Sequence, residues 1–280
     1  MTNFDIFPGA RHAGVIHCDP MISRVDDYLH AVPLSGSVAE QVGPFTLFRS
    51  TTVWPYYARP VPGSGATIEP ADIDVLRARC AELGIPASFE WVVETCPSLG
   101  PAAAAAGLTV VEHPLLVLER DDFRPVETEA RCEILPAEAA VLRQARAVAG
   151  LAFSDPGTAV GAAGPAERDA AAADVPDELI AAVLDRVHRG VTVGAGAFTR
   201  DGLVAGGQHQ PVGSTTEIVG VGTLPSMRRR GLAAAVTSTL VEHAFAHGVD
   251  LVLLSAETQA VAAVYERVGF RRIGSAGAAE

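Results

Sequence analysis

Three consecutive arginines mark the segment in which residue types and spacing indicate chemistry most clearly. Arg228, Arg229 and Arg230 stand directly before Gly231, and an alanine-rich run with helical spacing follows. The start of a helix already carries partial positive charge, so three cations are favourable there only beside an anion. Free amides at a helix start bind phosphate, arginine donors suit phosphate oxygens, and glycine permits close approach to the backbone. The pattern therefore predicts a phosphate site.

Other phosphate-binding signatures and other ligand classes fit this sequence poorly. The loop has no Gly-Lys-Ser/Thr, and its glycine spacing is not that of a dinucleotide-binding fold. The chain has no lysine and a net charge of -12, so it lacks the broad basic face of a nucleic-acid binder. Three arginines alone would be a solvated charge cluster, but Arg228-x-x-Gly231-x-Ala233 between a predicted strand and helix favours phosphate.

Cysteine and histidine spacing gives no metal or disulfide pattern. The four cysteines are widely spaced and have no CxxC pair: Cys18, Cys80, Cys96 and Cys132. They predict buried, reduced thiols. His243 and His247 lie four residues apart on a predicted helix, but no third ligand is near them in sequence. Surface histidines near a helix end are therefore expected, and no metal.

The sequence carries no recognisable targeting or membrane-spanning segment. Residues 1–20 lack a basic region followed by an apolar one, and no apolar run approaches the length of a membrane span. We therefore expect a cytoplasmic protein, monomeric or homodimeric, that binds neither a membrane nor nucleic acid.

Hydrophobic periodicity in the second half predicts alternating helices and strands. Helices are expected at 136–153 and 177–190, with a Gly-, Ala- and Pro-rich candidate lid loop between them. An Asp201-Gly202 hairpin and a strand at 216–224 lead into the arginines. A helix, a buried strand, a short helix and a last strand follow. This order describes an α/β (α+β) domain with a mixed sheet.

The first half predicts a second α/β unit. Strands are expected at 41–50, 88–93 and 108–119, and helices at 70–84 and 96–107. The charged segment 120–131 has no apolar period and is the expected linker. We therefore expect two domains, at 1–125 and 126–280.

Two motifs in the second half resemble the acyl-CoA-binding core of the GNAT superfamily of N-acyltransferases. Arg228-Arg-Arg-Gly231-Leu-Ala233 is similar to the family's Q/R-x-x-G-x-G/A phosphate loop, and residues 263–274 are similar to its tyrosine-containing helix–strand signature. The upstream hairpin and helices extend the likeness to 131–280. The resemblance implies a mixed, mostly antiparallel central sheet flanked by helices. It also implies acetyl-CoA, or another acyl-CoA, as cosubstrate without a metal.

The resemblance further implies which residues contact the cosubstrate. Main-chain groups of Val221 and Thr223 would pair with the pantetheine arm. The pyrophosphate would bind the amides of Arg229, Arg230, Gly231, Leu232 and Ala233.

Two glycines and one threonine complete the expected cofactor contacts. Gly220 and Gly222 are expected on one face of their strand, where they make room for the thioester or allow close packing. The family often has asparagine where this chain has Thr258, which weakens the expected contact of Thr258 with the cofactor arm.

Three side chains are candidates for acid, base or substrate contact. Tyr265 stands where many family members hold a tyrosine that protonates the departing thiolate; contact or packing alone is the alternative. Glu217 stands where relatives often hold a glutamate that removes the amine's proton, usually through water; an edge-strand surface carboxylate is its alternative. His209 is a base or substrate contact at the acceptor cleft, or a solvated histidine.

The first half resembles the degenerate N-terminal half of tandem GNAT proteins, because it has similar element order but no phosphate loop. An unrelated α/β cap is the alternative. As a tandem half it would cover the sheet and build one wall of the acceptor site. Trp54, Tyr56 and Tyr57 are candidates to line that wall, with simple packing as the other use of each.

These patterns together predict an N-acyltransferase that moves an acetyl group from acetyl-CoA to a primary amine of a small molecule. The amine would attack the thioester directly within a ternary complex. A non-catalytic acyl-CoA-binding sensor or interaction protein that has kept the phosphate loop is the rival function. The acidic composition suits a cationic acceptor.

Overall fold

The computed structural model describes residues 19–280, which form one eleven-stranded sheet with helices on both faces. The helices are α1 Pro20–Ala31, α2 Pro70–Leu83, α3 Leu99–Ala105, α4 Ala139–Ser154, α5 Pro165–Ala173, α6 Asp177–His188, α7 Leu232–Ala246 and α8 Gln259–Glu266. The strands are β1 Ser37–Val42, β2 Phe45–Ser50, β3 Ala58–Pro60, β4 Phe89–Val92, β5 Val110–Glu119, β6 Arg131–Ile134, β7 Val193–Thr199, β8 Gly202–Val212, β9 Thr215–Thr223, β10 Leu251–Ser255 and β11 Arg271–Ala279.

The strand order across the sheet is β1-β2-β3-β4-β11-β5-β10-β9-β8-β7-β6. Neighbouring strands are antiparallel except for two parallel pairs, β3 with β4 and β9 with β10. The expected mixed, mostly antiparallel sheet flanked by helices is therefore confirmed.

Strand β5 comes from the first half of the chain but lies between two strands of the second half. It pairs antiparallel with β10 through residues 115–119 and with β11 through residues 110–117. Strand β11 pairs in turn with β4 on its other edge. Strands from the two halves are thus interleaved, and the domain boundary at 125/126 stays a prediction.

Helices on opposite faces of the sheet define two sides of the molecule. Leu240 of α7 lies on one face, where a Cβ added to Gly207 would meet it. The opposite face carries α4, whose Ala152 would meet a Cβ added to Gly222. Helix α1 also packs there, with Val25 in a core that contains Leu251 and Leu253 of β10. We call these the α7 face and the α1 face.

Several elements differ from the sequence prediction for local reasons. The strand expected at 41–50 is a hairpin of β1 and β2, because Gly43 turns the chain with φ of 57°. The expected lid loop is shortened by α5, which begins with a proline suited to the first helical turn. Helix α1 and the short strands β3 and β6 were not predicted.

The segment expected to be a linker is irregular but tied to the second half. The amide of Arg124 donates to the Val268 carbonyl at 2.9 Å, and the amide of Val126 donates to Ser238 Oγ at 2.9 Å. These contacts hold the segment against α7 and the end of α8.

Two expectations from composition can be compared with the structure. Cys80, Cys96 and Cys132 are free thiols, and Cys18 lies outside the described residues. Within residues 19–280, no helix has both the length and the apolar character needed to cross a bilayer.

Candidate functional site

The parallel strands β9 and β10 separate partway along their length and open a pocket. Their pairing ends at Leu253 opposite Glu217. Beyond that point lies a pocket of ≈ 520 Å³ whose walls are β9, the arginine loop, β10, α8 and the C-terminal end of α4. The predicted residues that line it are Gly220, Val221, Gly222, Thr223, Arg228, Arg229, Gly231, Leu232, Ala233 and Tyr265. Arg230, Thr258, Glu217 and His209 lie outside this lining.

A β-bulge shapes the β9 wall of the pocket. Gly206 pairs with Gly222 and Gln208 pairs with Val219, so two β9 residues face the single residue between them on β8. One of the two, Gly220, has φ of 65°, a conformation that glycine adopts without strain.

The bulge gives the two β9 glycines different surroundings. A Cβ on Gly222 would lie 2.8 Å from the Ala152 Cβ, so this glycine permits close packing of α4. A Cβ on Gly220 would meet nothing within 4 Å. The expectation that Gly220 and Gly222 share one face of β9 and one role there is therefore not met.

The arginine loop presents free main-chain donors at the start of α7. Arg229 and Gly231 have φ of 66° and 76°, while Arg230 between them does not have a positive φ. Such alternation curls successive amides into a concave anion-binding nest. Among the described residues, the amides of residues 229–234 have no hydrogen-bond acceptor. The loop and the helix start therefore fit a pyrophosphate group.

The Arg228 side chain points away from this nest. Its guanidinium donates to the carbonyls of Ala152 and Ala159, each at 3.0 Å, and also to the carbonyl of Asp155. The side chain is only 8% exposed and lies 3.6 Å from the Asp155 carboxylate. Arg228 was expected to offer phosphate donors, but its side chain instead holds the end of α4; Arg229 and Arg230 stay exposed.

Backbone hydrogen bonds join the α4–α5 loop to the arginine loop. The amide of Gly161 donates to the Pro225 carbonyl, and the amide of Ser226 donates to the Ala163 carbonyl, each at 3.0 Å. Phe153 at the end of α4 and residues 156–158 of this loop line the pocket. The expected lid is therefore a pocket wall fastened to the phosphate loop.

Tyr265 enters the pocket from α8. It is 8% exposed, packs edge-to-face on Phe270, and burial raises its pKa to about 12. Its hydroxyl therefore remains protonated at neutral pH and is available as a donor. Thr258 caps the same helix, because its hydroxyl accepts from the Val261 amide at 3.3 Å.

Glu217 lies at the point where β9 and β10 separate, on the α1 face. Its amide donates to the Tyr28 hydroxyl at 2.9 Å, and that hydroxyl donates to the Gln210 carbonyl at 2.6 Å. Its carboxylate accepts no hydrogen bond from the residues that the structure describes. Burial, and then the Glu90 carboxylate, raise the Glu217 pKa to about 8, although the Arg59 charge opposes them. This carboxylate is basic enough to accept a proton near neutral pH.

His209 lies on the α7 face, opposite Glu217. Its ring is 1% exposed, with Nδ1 at 3.0 Å from Thr216 Oγ1 and Nε2 at 3.1 Å from His243 Nδ1. Burial, and then His243 and His247, lower its pKa to about 4. His209 is therefore a neutral packed histidine, and its expected substrate contact gains no support. Residues 19–280 contain no group of three or more His, Cys, Asp or Glu able to hold a metal ion.

A polar cluster on the α1 face was missed in the sequence. It contains the ion pair Arg59–Asp26, with 2.9 Å between Nη2 and Oδ1, and Glu90 of β4. Glu90 could have been noticed in the sequence, because it is a charged residue inside an apolar strand. Its nearness to Glu217 depends on strand order that local sequence does not encode.

Comparison with known proteins identifies the second half. Residues 143–270 match the family model described as the Acetyltransferase (GNAT) family. A search of curated protein sequences finds no significant match to this chain.

Solved structures share the fold across both halves. A GCN5-related N-acetyltransferase from Kribbella flavida is 22% identical, with a TM-score of 0.71 over 92% of this chain and 95% of that one. A GCN5-related N-acetyltransferase from Sphaerobacter thermophilus is 15% identical, with a TM-score of 0.51 over 75% of this chain and 64% of that one. A tandem GNAT protein from the clavulanic acid biosynthesis pathway is 14% identical, with a TM-score of 0.52 over 84% of this chain and 77% of that one.

Residues 143–270 therefore form a GNAT acetyltransferase domain. This assignment of the second half supports acyl transfer from acyl-CoA in general.

Proposed function

We propose that this protein is an N-acetyltransferase that moves the acetyl group of acetyl-CoA to a primary amine of a small molecule within a ternary complex. The observation that carries the proposal is the pocket between β9 and β10. It combines free amides at the start of α7 with a buried tyrosine and lies beside a basic carboxylate.

Main-chain groups of the chain hold the cosubstrate. The amides of residues 229–233 bind the pyrophosphate, and main-chain groups of Val221 and Thr223 pair with the pantetheine arm. Acetyl-CoA supplies an acyl group activated as a thioester. The bulge at Gly220 leaves space beside the strand for that group.

Glu217 accepts a proton and Tyr265 donates one during the transfer. The amine nitrogen forms a bond to the acetyl carbon, the bond from that carbon to sulfur breaks, and the amine gives up one proton. Glu217, directly or through water, takes this proton, for which a pKa of about 8 is suitable. The Tyr265 hydroxyl donates its proton to the departing sulfur, so the products are an amide and a free thiol.

A thiol-release assay with acetyl-CoA and a panel of small amines tests the proposal. Wild type is expected to release thiol only when an amine is present. Tyr265→Phe is expected to keep acetyl-CoA affinity, measured by calorimetry, and to lose about 10²–10⁴-fold in turnover. Acetyl-CoA binding without thiol release for any amine would favour the non-catalytic sensor.

A further inference from the structure

A second pocket opens on the first-half side of the sheet. It has a volume of ≈ 320 Å³, and its walls include Tyr56, Tyr57, Glu90 and Val111. Glu90 shares the strand face of Val92, which packs in the core under α1. The Glu90 carboxyl therefore lies on the α1 face, the same side as Glu217.

The basic groups near Glu90 are Arg59 and His113, and their charges oppose the rise in the Glu90 pKa. Arg59 is 1% exposed and already pairs with Asp26 at 2.9 Å. Burial raises the pKa of Glu90, although the nearby Arg59 charge and Tyr57 hydroxyl oppose this rise. Among the described residues no side chain forms an ion pair with Glu90, because Arg59 pairs with Asp26 instead. A bound cation would therefore balance the charge of Glu90.

Tyr57 connects the second pocket with Glu217. Tyr57 lines this pocket together with Glu90, and burial and then the nearby Glu90 and Glu217 carboxylates raise the Tyr57 pKa, although the Arg59 charge opposes them. The residues after Glu217, beginning with Ile218, line the acyl-CoA pocket. The order along the α1 face is therefore acyl-CoA pocket, Glu217, Tyr57 and Glu90.

We propose that the acceptor is a dication, and that Glu90, Tyr56 and Tyr57 bind the ammonium group that does not react. This rests on the proposed function, in which the reacting amine must be neutral when it attacks and passes its proton to Glu217. The second ammonium keeps its charge throughout. A half-buried carboxylate beside two aromatic rings is an environment that stabilises such a cation.

Three probes of equal chain length test the second charge. Putrescine, n-butylamine and γ-aminobutyrate carry an ammonium, a methyl and a carboxylate at the far end. With saturating acetyl-CoA, wild type is expected to show kcat/KM for putrescine about 10- to 100-fold above that for n-butylamine, the range of a charged hydrogen bond. The value for γ-aminobutyrate is expected to be lowest.

Glu90→Gln keeps the shape of the side chain and removes its charge. It is expected to bring the putrescine to n-butylamine ratio close to one. Because the Glu90 charge also raises the pKa of Glu217, the variant is judged by this ratio, in which an effect common to both amines cancels. Glu112→Gln is the matched control, because Glu112 is exposed on β5, which is separated from β4 by β11, and lies outside the pocket lining. This control removes the same charge and should keep the ratio.

Two turnover results would overturn the dication proposal: no preference for putrescine, or a preference that Glu90→Gln leaves intact. A preference for γ-aminobutyrate would also overturn it and would assign the site to Arg59. If no amine is turned over, the proposed function fails, and calorimetry of putrescine binding in the presence of CoA then tests the dication site by itself. Putrescine binding by wild type but not by Glu90→Gln would support the site, and absence of putrescine binding to wild type would refute it.

Discussion

Gly231 has a left-handed backbone and open space around it, so its importance lies in conformation. A Cβ there would meet no atom within 4 Å, but φ of 76° is unfavourable for a branched side chain. Valine would shift the loop and misdirect the amides of the nest. We expect Gly231→Val to weaken CoA binding at least tenfold, about 1.4 kcal/mol, measured by calorimetry.

Gly213 provides the control for Gly231. It has φ of 59°, and a Cβ there would also meet nothing within 4 Å, but it lies in the turn between β8 and β9. Gly213→Val carries similar backbone strain away from the site and should leave CoA affinity unchanged. Normal CoA binding by a folded Gly231→Val would mean that this loop holds no phosphate.

The raised pKa of Glu217 predicts a pH dependence with a definite sign. A base must be ionised to accept a proton, so activity from Glu217 is present above a pH of about 8 and is lost as pH falls below it. Glu217→Gln should lower kcat/KM by about 10²–10⁴-fold at high pH and by less at low pH. The ratio of wild type to variant, measured against pH, cancels the ionisation of the amine itself. A ratio independent of pH would assign the proton transfer to another group or to water.

At the scale of elements, Arg228 connects the arginine loop to the end of α4. Its removal would leave the carbonyls of Ala152, Asp155 and Ala159 without their donor, and the wall formed by Phe153 would lose its support. We expect Arg228→Ala to raise KM for acetyl-CoA about tenfold or more, with a smaller change in kcat.

Two further variants separate geometry from charge. Arg228→Lys keeps the charge but not the planar fork that reaches several carbonyls, so it should resemble Arg228→Ala. Arg230→Ala removes an equal charge from an exposed side chain outside the pocket lining and should have little effect. If Arg230→Ala and Arg228→Ala raised KM for acetyl-CoA equally, or if Arg228→Lys kept the wild-type KM, charge attraction between the arginines and the anion would explain the effect of both residues.

Helices and strands with strong local sequence signals were predictable, but the strands that lie beside one another in the sheet were not. Helix α7 follows from the glycine at its N-cap and its alanine-rich run, and the β7–β8 hairpin follows from Asp201-Gly202. The insertion of β5 between β10 and β11 depends on pairing between distant segments, which no local pattern encodes. The same limit applies to side chains: Arg228 was recognised in its motif, but its direction is set by carbonyls at the end of α4.

At the scale of the whole molecule, the position of β5 predicts that the halves do not fold separately. A fragment of residues 126–280 lacks β5, so β10 and β11 would lose the strand between them, and the apolar residues under α1 would be exposed. We expect this fragment to show no cooperative unfolding transition by circular dichroism and no CoA binding. The full chain should unfold in one transition.

A fragment of residues 107–280 restores β5 and serves as the comparison. It should have more sheet content and resist proteolysis better than 126–280, although both lack α1. A folded 126–280 fragment with the CoA affinity of the full chain would show that the two predicted domains are independent.

The interleaved sheet also sets an order of events during synthesis. Strand β5 leaves the ribosome long before residues 251–279, which form its partners on both edges. Strand β4 is likewise synthesised long before β11, its antiparallel partner. An apolar strand with two unpaired edges is open to association with other nascent chains. The first half therefore cannot complete its sheet as it emerges, because both edges of β5 stay unpaired until residues 251–279 have been translated.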